Sequence, residues 1–274
     1  MTTTSAAAPP RESAPSRKPL TSVAWFVGIM LTFTLIVTAA VVSTNAGPNL
    51  LAFPLAFAPA FIAIGLAWWE GNGAVRALLR QVTILPSRPI WYLALLIPLV
   101  AFVAVDVIAI ALGEPVAGMS DGLVPAILIV PLVVLLPAFT EELAWRGFAL
   151  PRAITAVSPL QAALILGVPW TLVHVGLFLP GQMNAGAAYW SMATQIMSLS
   201  VIFAWVYLGT GRSVLMVGLL HALFNGLVPI TGGVDPELAW TIRGILWPVI
   251  AIAVVALGGF RGFERSSVAP VTIG

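Results

Sequence analysis

Long, almost uninterrupted runs of apolar residues recur along the whole chain and are separated by short polar segments. Each run is close to the roughly 20 residues that an α-helix needs to cross the hydrocarbon core of a bilayer. The runs are continuous rather than alternating in polarity, which favours helices over the strands of a membrane barrel. We therefore predict an all-α, polytopic transmembrane helix bundle with about eight spans. The predicted spans are 22–42, 50–69, 90–112, 122–148, 160–179, 189–208, 214–231 and 240–259.

The composition supports a membrane environment. The chain of 274 residues is 60% hydrophobic and 8% charged, whereas soluble domains have roughly 45–50% apolar and about 25% charged residues. So much apolar surface predicts a multi-pass protein of the cell membrane with the lipid bilayer as its surroundings. Twelve scattered basic residues and a net charge of +2 argue against a nucleic-acid partner. The absence of cysteine excludes disulfides, thiolate metal sites and cysteine nucleophiles.

The two ends of the chain differ from its apolar middle. Residues 1–20 are rich in Ser, Thr, Ala and Pro, which predicts a disordered tail. A cleaved signal peptide is the competing interpretation, because basic residues precede an apolar run. The run 22–42 is too long for the core of a signal peptide and is predicted to be the first span. We therefore predict a transmembrane domain at 21–260 and a second tail at 261–274.

Basic residues in the connecting segments all fall on one side of the predicted bundle. The segments 43–49, 113–121, 180–188 and 232–239 contain no Lys or Arg. By the positive-inside rule, the opposite segments face the cytoplasm, together with both termini. Arg243 lies near the outer end of its predicted helix, where we expect its side chain to snorkel to the interface.

One cytoplasmic connecting segment has helical character. The segment 74–85 places Arg76 and Arg80 four residues apart. This spacing predicts an amphipathic helix on the cytoplasmic surface, and an ordinary loop is an equal alternative.

Charged and ionisable side chains are rare in the predicted spans, and most of them lie on three of the spans. A charged or ionisable group at membrane depth is costly, so each one is a functional hypothesis. The alternative is that such groups only join helices by hydrogen bonds. Both histidines of the chain lie in spans, and so does a pair of glutamates, which favours a functional site. The candidate catalytic residues are Glu141, Glu142 and Arg146 of the fourth span, His174 of the fifth, and His221 and Asn225 of the seventh.

Spacing within the fourth span suggests separate roles for its two glutamates. Glu142 and Arg146 are four residues apart, with the acid on the N-terminal side, which favours a helical ion pair. Glu141 points about 100° away around the helix, so it is expected to face a cavity and to serve as a general base. The alternative is that all three residues form a structural charge network.

The other two spans carry matching pairs at the same spacing. Asn225 lies one turn beyond His221, where it can orient the imidazole or donate a hydrogen bond to a developing oxyanion. Trp170 lies one turn before His174 and is predicted to line the cavity, to fix the ring of His174, or to pack against lipid. Counted from the predicted helix ends, Glu141 and His221 lie ~12–14 Å deep and His174 ~20 Å deep. The three side chains can therefore share one site only if the fifth span starts later than predicted, is tilted, or bends at Pro169.

A carboxylate, two imidazoles and an amide suit the activation of a water molecule for attack on an amide carbonyl, with or without a metal ion. The sequence has no HExxH zinc motif and no GxSxG nucleophile motif. Two hypotheses from other classes are an ion- or proton-coupled transporter and a non-catalytic membrane immunity or scaffold protein.

The motifs Glu-Glu-x-x-x-Arg, aromatic-x-x-x-His and His-x-x-x-Asn, each in a separate apolar span, resemble those of the type II CAAX prenyl endopeptidases. Bacterial relatives of these enzymes form the CAAX protease and bacteriocin-processing family of intramembrane proteases. The resemblance covers about 110–230 in order and spacing. One difference is visible: the second motif of the family usually begins with Phe, whereas this chain has Trp170.

The resemblance implies a membrane-embedded endopeptidase whose peptide or protein substrate enters a site within the membrane. It implies that Glu141 activates water, that His174 and His221 shape or ligate the site, and that Asn225 stabilises the oxyanion. Glu141, His174 and His221 could together hold Zn²⁺ and leave one position open for water. A metal-free mechanism, with Glu141 as the sole base, is the alternative.

Overall fold

The computed structural model describes residues 19–44, 49–71, 73–114, 134–227 and 234–257. Every regular element within these ranges is helical, which confirms the predicted all-α class. Most of the predicted tail 1–20 and all of the tail 261–274 lie outside the described residues. The predicted domain boundaries and the orientation of the termini therefore stay predictions.

The described residues up to 114 form four α-helices. These are α1 (Pro19–Ser43), α2 (Asn49–Glu70), α3 (Ala74–Arg80) and α4 (Leu96–Ala111). A 3₁₀ turn at Gln81–Thr83 follows α3, and another at Pro89–Leu95 leads into α4.

The candidate site lies on the next elements. The chain is helical from α5 (Leu136–Glu142) through a π-helical segment (Leu143–Ala149) into α6 (Leu150–Ala153). The remaining elements are α7 (Pro159–Leu172), a 3₁₀ turn (Val175–Phe178), α8 (Tyr189–Gly209), α9 (Val214–Leu227) and α10 (Pro236–Ala256).

Five helical stretches among the described residues are long and apolar enough to cross a membrane. They are α1, Leu50–Glu70, Pro89–Ala111, α8 and α10. The described parts of two other predicted spans, α7 and α9, have 14 residues each, about 21 Å of helix, and α9 ends where the described residues end. The predicted span 160–179 is not one helix, because the α-helix ends at Leu172 and a 3₁₀ turn follows. The total of about eight spans stays a prediction.

Local sequence signals set the starts of α7 and α10. Ser158 and Gln161 form a capping box, in which the side chain of each accepts a hydrogen bond from the backbone N–H of the other. Pro159 occupies the first helical position, where no N–H is needed. Asp235 caps α10 by accepting from the backbone N–H of Leu238 at 3.0 Å. Because α7 begins at Pro159, a later start does not explain how His174 reaches the site.

The most deeply buried helix is α8, which packs against α7, α9 and α10. Glycines allow helices to approach closely at these interfaces. A Cβ on Gly167 of α7 would lie 2.8 Å from the sulfur of Met197, and a Cβ on Gly218 of α9 would lie 2.7 Å from the ring of Phe139 on α5. The latter approach brings the helix that carries His221 against the helix that carries the two glutamates.

Most of the segment 74–85 is helical, as α3 and the 3₁₀ turn that ends at Thr83, so the loop alternative is wrong for 74–83. Leu78 of α3 is buried, and Gln81 of the following turn bonds to the candidate-site helix. Its Nε2 donates to the carbonyl oxygen of Gly147 at 3.2 Å, and its Oε1 accepts from the hydroxyl of Tyr207 at 2.6 Å. A π-helical turn departs from the regular α-helical hydrogen-bond pattern, and Gln81 supplies a partner for one carbonyl in it. The segment therefore supports the π-helical geometry.

Gln81→Leu is expected to lower stability because it leaves the hydroxyl of Tyr207 and the carbonyl of Gly147 without these bonds. A buried polar group without a partner costs about 1–3 kcal/mol. A thermal unfolding curve in detergent measures the effect. Tyr207→Phe removes only one of the two bonds, so its unfolding midpoint should lie between those of Gln81→Leu and wild type. Equal midpoints for all three proteins would contradict this role of Gln81.

The expectation that Arg243 snorkels to the interface is wrong. Its side chain is buried, with 5% exposure. Its Nε donates to the carbonyl oxygen of Ala239 at 3.0 Å, and its guanidinium lies 4.6 Å from the centre of the Trp240 ring. Contacts within its own helix thus replace part of the hydration that the interface would have supplied.

Candidate active site

The end of α5 and the π-helical segment carry a buried ion pair. Glu142 has no exposed surface and Arg146 is 2% exposed. The Nη1 of Arg146 donates to Oε1 of Glu142 at 3.0 Å, which confirms the predicted pair. The guanidinium also lies over the rings of Trp170 and Phe203, 4.1 Å and 5.1 Å from their centres. Cation–π attraction therefore stabilises a charge that is buried away from water.

His221 of α9 joins this pair from 79 residues further along the chain. Its Nδ1 lies 2.9 Å from Oε1 of Glu142. Since an ionised carboxylate only accepts hydrogen bonds, Nδ1 carries the proton and donates it to the bond. Nε2 is then the nitrogen available for chemistry. The ring is thus oriented by Glu142, and the first of the two roles predicted for Asn225, orienting the imidazole, stays a prediction.

Asn225 lies one turn beyond His221 on α9 and is partly buried. The described helix therefore keeps both side chains on adjacent turns of one face, as their spacing predicted. The second role predicted for Asn225, donation to a developing oxyanion, stays a prediction.

Glu141 and Trp170 connect α5 to α7. The Nε1–H of Trp170 donates to Oε2 of Glu141 at 2.9 Å. Glu141 is partly buried and lies outside the Glu142–Arg146 hydrogen bond. This agrees with the prediction that the two glutamates play separate parts, but it corrects the expectation that Glu141 faces a cavity without a partner. Trp170 is 2% exposed, so the alternative that it packs against lipid is wrong.

His174 lies just past the end of α7, where the chain enters the 3₁₀ turn. Its Nδ1 is 2.7 Å from the carbonyl oxygen of Trp170. A carbonyl can only accept, so Nδ1 again carries the proton and leaves Nε2 available. The prediction that Trp170 fixes this ring is therefore confirmed, and the bond comes from its backbone.

The indole of Trp170 brings the two histidines to one place. Its ring meets His174 edge to face, with centres 6.3 Å apart, and meets His221 in the same way at 5.7 Å. Glu141, His174 and His221 thus each contact the same residue, although they come from three different parts of the chain. The difference in depth that was counted from the predicted helix ends therefore does not keep His174 apart from the other two residues.

Two aromatic residues that pack against this cluster were missed by sequence reasoning. Phe203 of α8 contacts the rings of Trp170 and His221, with centres 6.0 Å and 5.3 Å away. Trp145 contacts the ring of Trp170 at 6.4 Å. Phe203 belongs to an apolar helix without charged residues, so its sequence neighbours carry no signal. Trp145 lies next to Arg146 in the sequence, and this position was the only sequence feature that connected it with the candidate site.

The predicted metal ligands, Glu141, His174 and His221, all contact Trp170, but they are not grouped closely enough to hold a metal ion. Within the described ranges, no three side chains of His, Cys, Asp or Glu lie close enough together to hold a metal ion. Each imidazole has its Nδ1 held by an oxygen, as metal-bound histidines usually do, but Oε2 of Glu141 is bonded to Trp170. The described residues thus offer no complete ligand set, so the proposed mechanism uses no metal.

Comparisons with known proteins agree with the geometry. Residues 123–227 match the family described as type II CAAX prenyl endopeptidase Rce1-like, and the match includes all six candidate residues. CAAX prenyl protease 2 of Methanococcus maripaludis is 26% identical over 269 residues, which covers 90% of this chain and 93% of that protein. The apolar helices and these similarities support a multi-pass membrane peptidase. Residues 123–227 of this chain are thus similar to the Rce1-like type II CAAX prenyl endopeptidases, and most of the chain is similar to one CAAX prenyl protease.

Proposed function

We propose that this chain is an endopeptidase of the cell membrane that hydrolyses a peptide bond with a water molecule activated by Glu141. One observation carries the proposal. Glu141, His174 and His221 come from separate helical elements, yet all three contact Trp170. A carboxylate and two imidazoles that meet in a mostly buried cluster are suited to proton transfer during hydrolysis.

In the proposed first step, Glu141 takes a proton from water while the water oxygen attacks the carbonyl carbon of the peptide bond. Trp170 bonds to Oε2 of Glu141, so Oε1 is the oxygen that receives this proton. The Nε2 of His174 accepts a hydrogen bond from the same water and helps to orient it. In the second step the C–N bond breaks, and Glu141 returns the proton to the leaving amine nitrogen.

His221 and Asn225 are assigned to the oxyanion that forms on the carbonyl oxygen. The carboxylate of Glu142 holds Nδ1 of His221 and stabilises an imidazolium, in which Nε2–H is a donor. The side-chain amide of Asn225 supplies a second donor. Such donors are most effective when they are held in place before the charge develops, and the Glu142 bond supports this for His221.

The substrate proposed is a protein or peptide whose cleavage site reaches the membrane. The name of the archaeal relative, CAAX prenyl protease 2, suggests a prenylated substrate. A pair of quenched fluorescent peptides, identical except for a farnesyl group on one cysteine, separates a prenyl-dependent enzyme from a general peptidase.

The test uses purified protein reconstituted in lipid nanodiscs, with wild type and His174→Ala compared on both peptides. Wild type should cleave at least one of them, and His174→Ala should be about 10²-fold slower or worse, in the range of general acid–base contributions. Equal unfolding temperatures show that the variant is folded. Cleavage of neither peptide by wild type, or equal rates for both proteins, would contradict the proposal.

Chelation tests the alternative that Zn²⁺ takes part. We expect cleavage to persist after treatment with a strong chelator. Within the described ranges no three side chains of His, Cys, Asp or Glu are grouped to hold a metal ion, whereas structural or catalytic zinc takes three or four protein ligands. Cleavage rates before and after dialysis against chelator give the measurement. Loss of cleavage that added Zn²⁺ restores would replace the metal-free step with a metal-bound water.

A further inference from the structure

Trp170 donates a hydrogen bond to the proposed base from a different helix. Its Nε1 lies 2.9 Å from Oε2 of Glu141, which is normal geometry for a donor to a charged acceptor. An indole nitrogen can only donate, so the direction of this bond is certain. The bond uses one of the two carboxylate oxygens of Glu141.

The indole is held rigidly in place by its neighbours. The guanidinium of Arg146 lies 4.1 Å from the centre of the Trp170 ring. The rings of Phe203, His174 and His221 surround it at 5.7–6.3 Å, and only 2% of the residue is exposed. A donor confined in this way keeps its direction, so it determines where the carboxylate of Glu141 points.

The same residue also orients His174, but through its backbone. The Nδ1 of His174 is bonded to the carbonyl oxygen of Trp170, and no substitution at position 170 removes a carbonyl. A change of the side chain therefore alters the contact with Glu141 while the backbone acceptor for His174 remains. This separation makes the role of the indole N–H testable by itself.

We propose that Trp170 is a positioning residue: its N–H holds Oε2 of Glu141 and thereby presents Oε1 to the attacking water. The inference rests on the proposed function, in which Glu141 is the base. A phenyl ring at position 170 would keep an aromatic face for Arg146 and lose the bond to Glu141. Glu141 would then rotate among several conformations, of which one suits proton transfer.

Trp170→Phe tests the inference, and Trp145→Phe is the matched control. Trp145 is equally buried, contacts the same cluster, and its Nε1 has no hydrogen-bond partner among the described residues. Both changes remove an indole N–H and leave a similar void, but only Trp170→Phe removes a bond to Glu141. We expect kcat of Trp170→Phe to fall about 10- to 100-fold, as for a lost bond to a charged group, with KM within about twofold of wild type. Trp145→Phe should keep kcat within about threefold of wild type.

A double-mutant cycle with Glu141→Asp gives a readout that a general packing defect would not produce. The side chain of Asp is one methylene shorter than that of Glu, so its carboxylate lies too far from the indole N–H for this bond. Trp170→Phe should therefore have little further effect on kcat in the Glu141→Asp background. Additive effects of the two substitutions on kcat would overturn the inference.

If Trp170→Phe does not fold, site-specific incorporation of benzothienylalanine at position 170 replaces the N–H by sulfur in a ring of the same shape. The expected fall in kcat is the same for this variant. Wild-type kcat in either Trp170 variant, or a rise in KM alone, would overturn the inference while the proposed function stands. Absence of cleavage by wild type would instead contradict the proposed function.

Discussion

Glu141→Gln is expected to lower kcat/KM by about 10³-fold or more while the protein stays folded, since general bases contribute up to about 10⁴-fold. The amide of Gln cannot accept a proton from water, so the first step loses its base. Its carbonyl oxygen can still accept the N–H of Trp170, which now bonds Oε2 of Glu141. The substitution therefore changes the chemistry of one group and preserves its contact with α7.

The measurement is the rate of peptide cleavage in nanodiscs with thermal unfolding of the same samples. Glu237→Gln is the matched control, because Glu237 is an exposed residue in the first turn of α10. It should behave as wild type in both assays. A Glu141→Gln protein that cleaves at the wild-type rate would remove Glu141 from the role of base and leave the buried cluster as a structural feature.

The fold was predictable where the signal is local. A run of about 20 apolar residues has few alternatives to a helix in a bilayer, and five such runs appear as long apolar helices. The i,i+4 pair of Glu142 and Arg146 was predictable for the same reason, since both partners lie on one face of one helix.

Contacts between helices were not predictable in this way. Spacing determines which residues share a face of one helix, but the rotation of each helix about its own axis depends on packing against its neighbours. His221 therefore met Glu142 of another helix, and Glu141 acquired a bond to Trp170. The buried position of Arg243 has the same origin, because the outer end of a helix faces water only if no neighbour covers it.

The family resemblance supplied what spacing could not. It assigned roles to the motifs of three separate spans, which the residue pattern had already grouped into one candidate site. It could not supply the bond between Trp170 and Glu141, because the usual Phe at that position has no N–H. Trp170, the residue that differs from the common motif, thus makes a contact that only the structure reveals.

Glu142→Leu is expected to cause the largest loss of stability of any single substitution in the site. It would leave the guanidinium of Arg146 charged, 2% exposed and without its carboxylate partner, and breaking a buried ion pair in this way costs about 3–5 kcal/mol. The yield of monodisperse protein in detergent and the unfolding temperature should both fall well below wild type.

The double variant Glu142→Leu/Arg146→Met separates stability from catalysis. Replacing both members of a buried ion pair by apolar residues of similar size is often neutral or stabilising, and a Met side chain packs well against the rings of Trp170 and Phe203. We therefore expect the double variant to recover most of the lost unfolding temperature. Cleavage should stay at least about tenfold below wild type, because His221 no longer has an acceptor for Nδ1 and a bond to a charged group is worth about 1.5–3 kcal/mol.

The two measurements distinguish a structural ion pair from one that also orients a catalytic group. Recovery of both folding and cleavage in the double variant would mean that Glu142 and Arg146 only stabilise the bundle and that His221 needs no carboxylate. Recovery of neither would mean that the polar pair itself determines how α5 packs against α9. Recovery of folding without cleavage is the result expected if Glu142 holds His221 for the oxyanion. Apolar packing can replace the contribution of the ion pair to stability, but it cannot replace the acceptor for Nδ1 of His221.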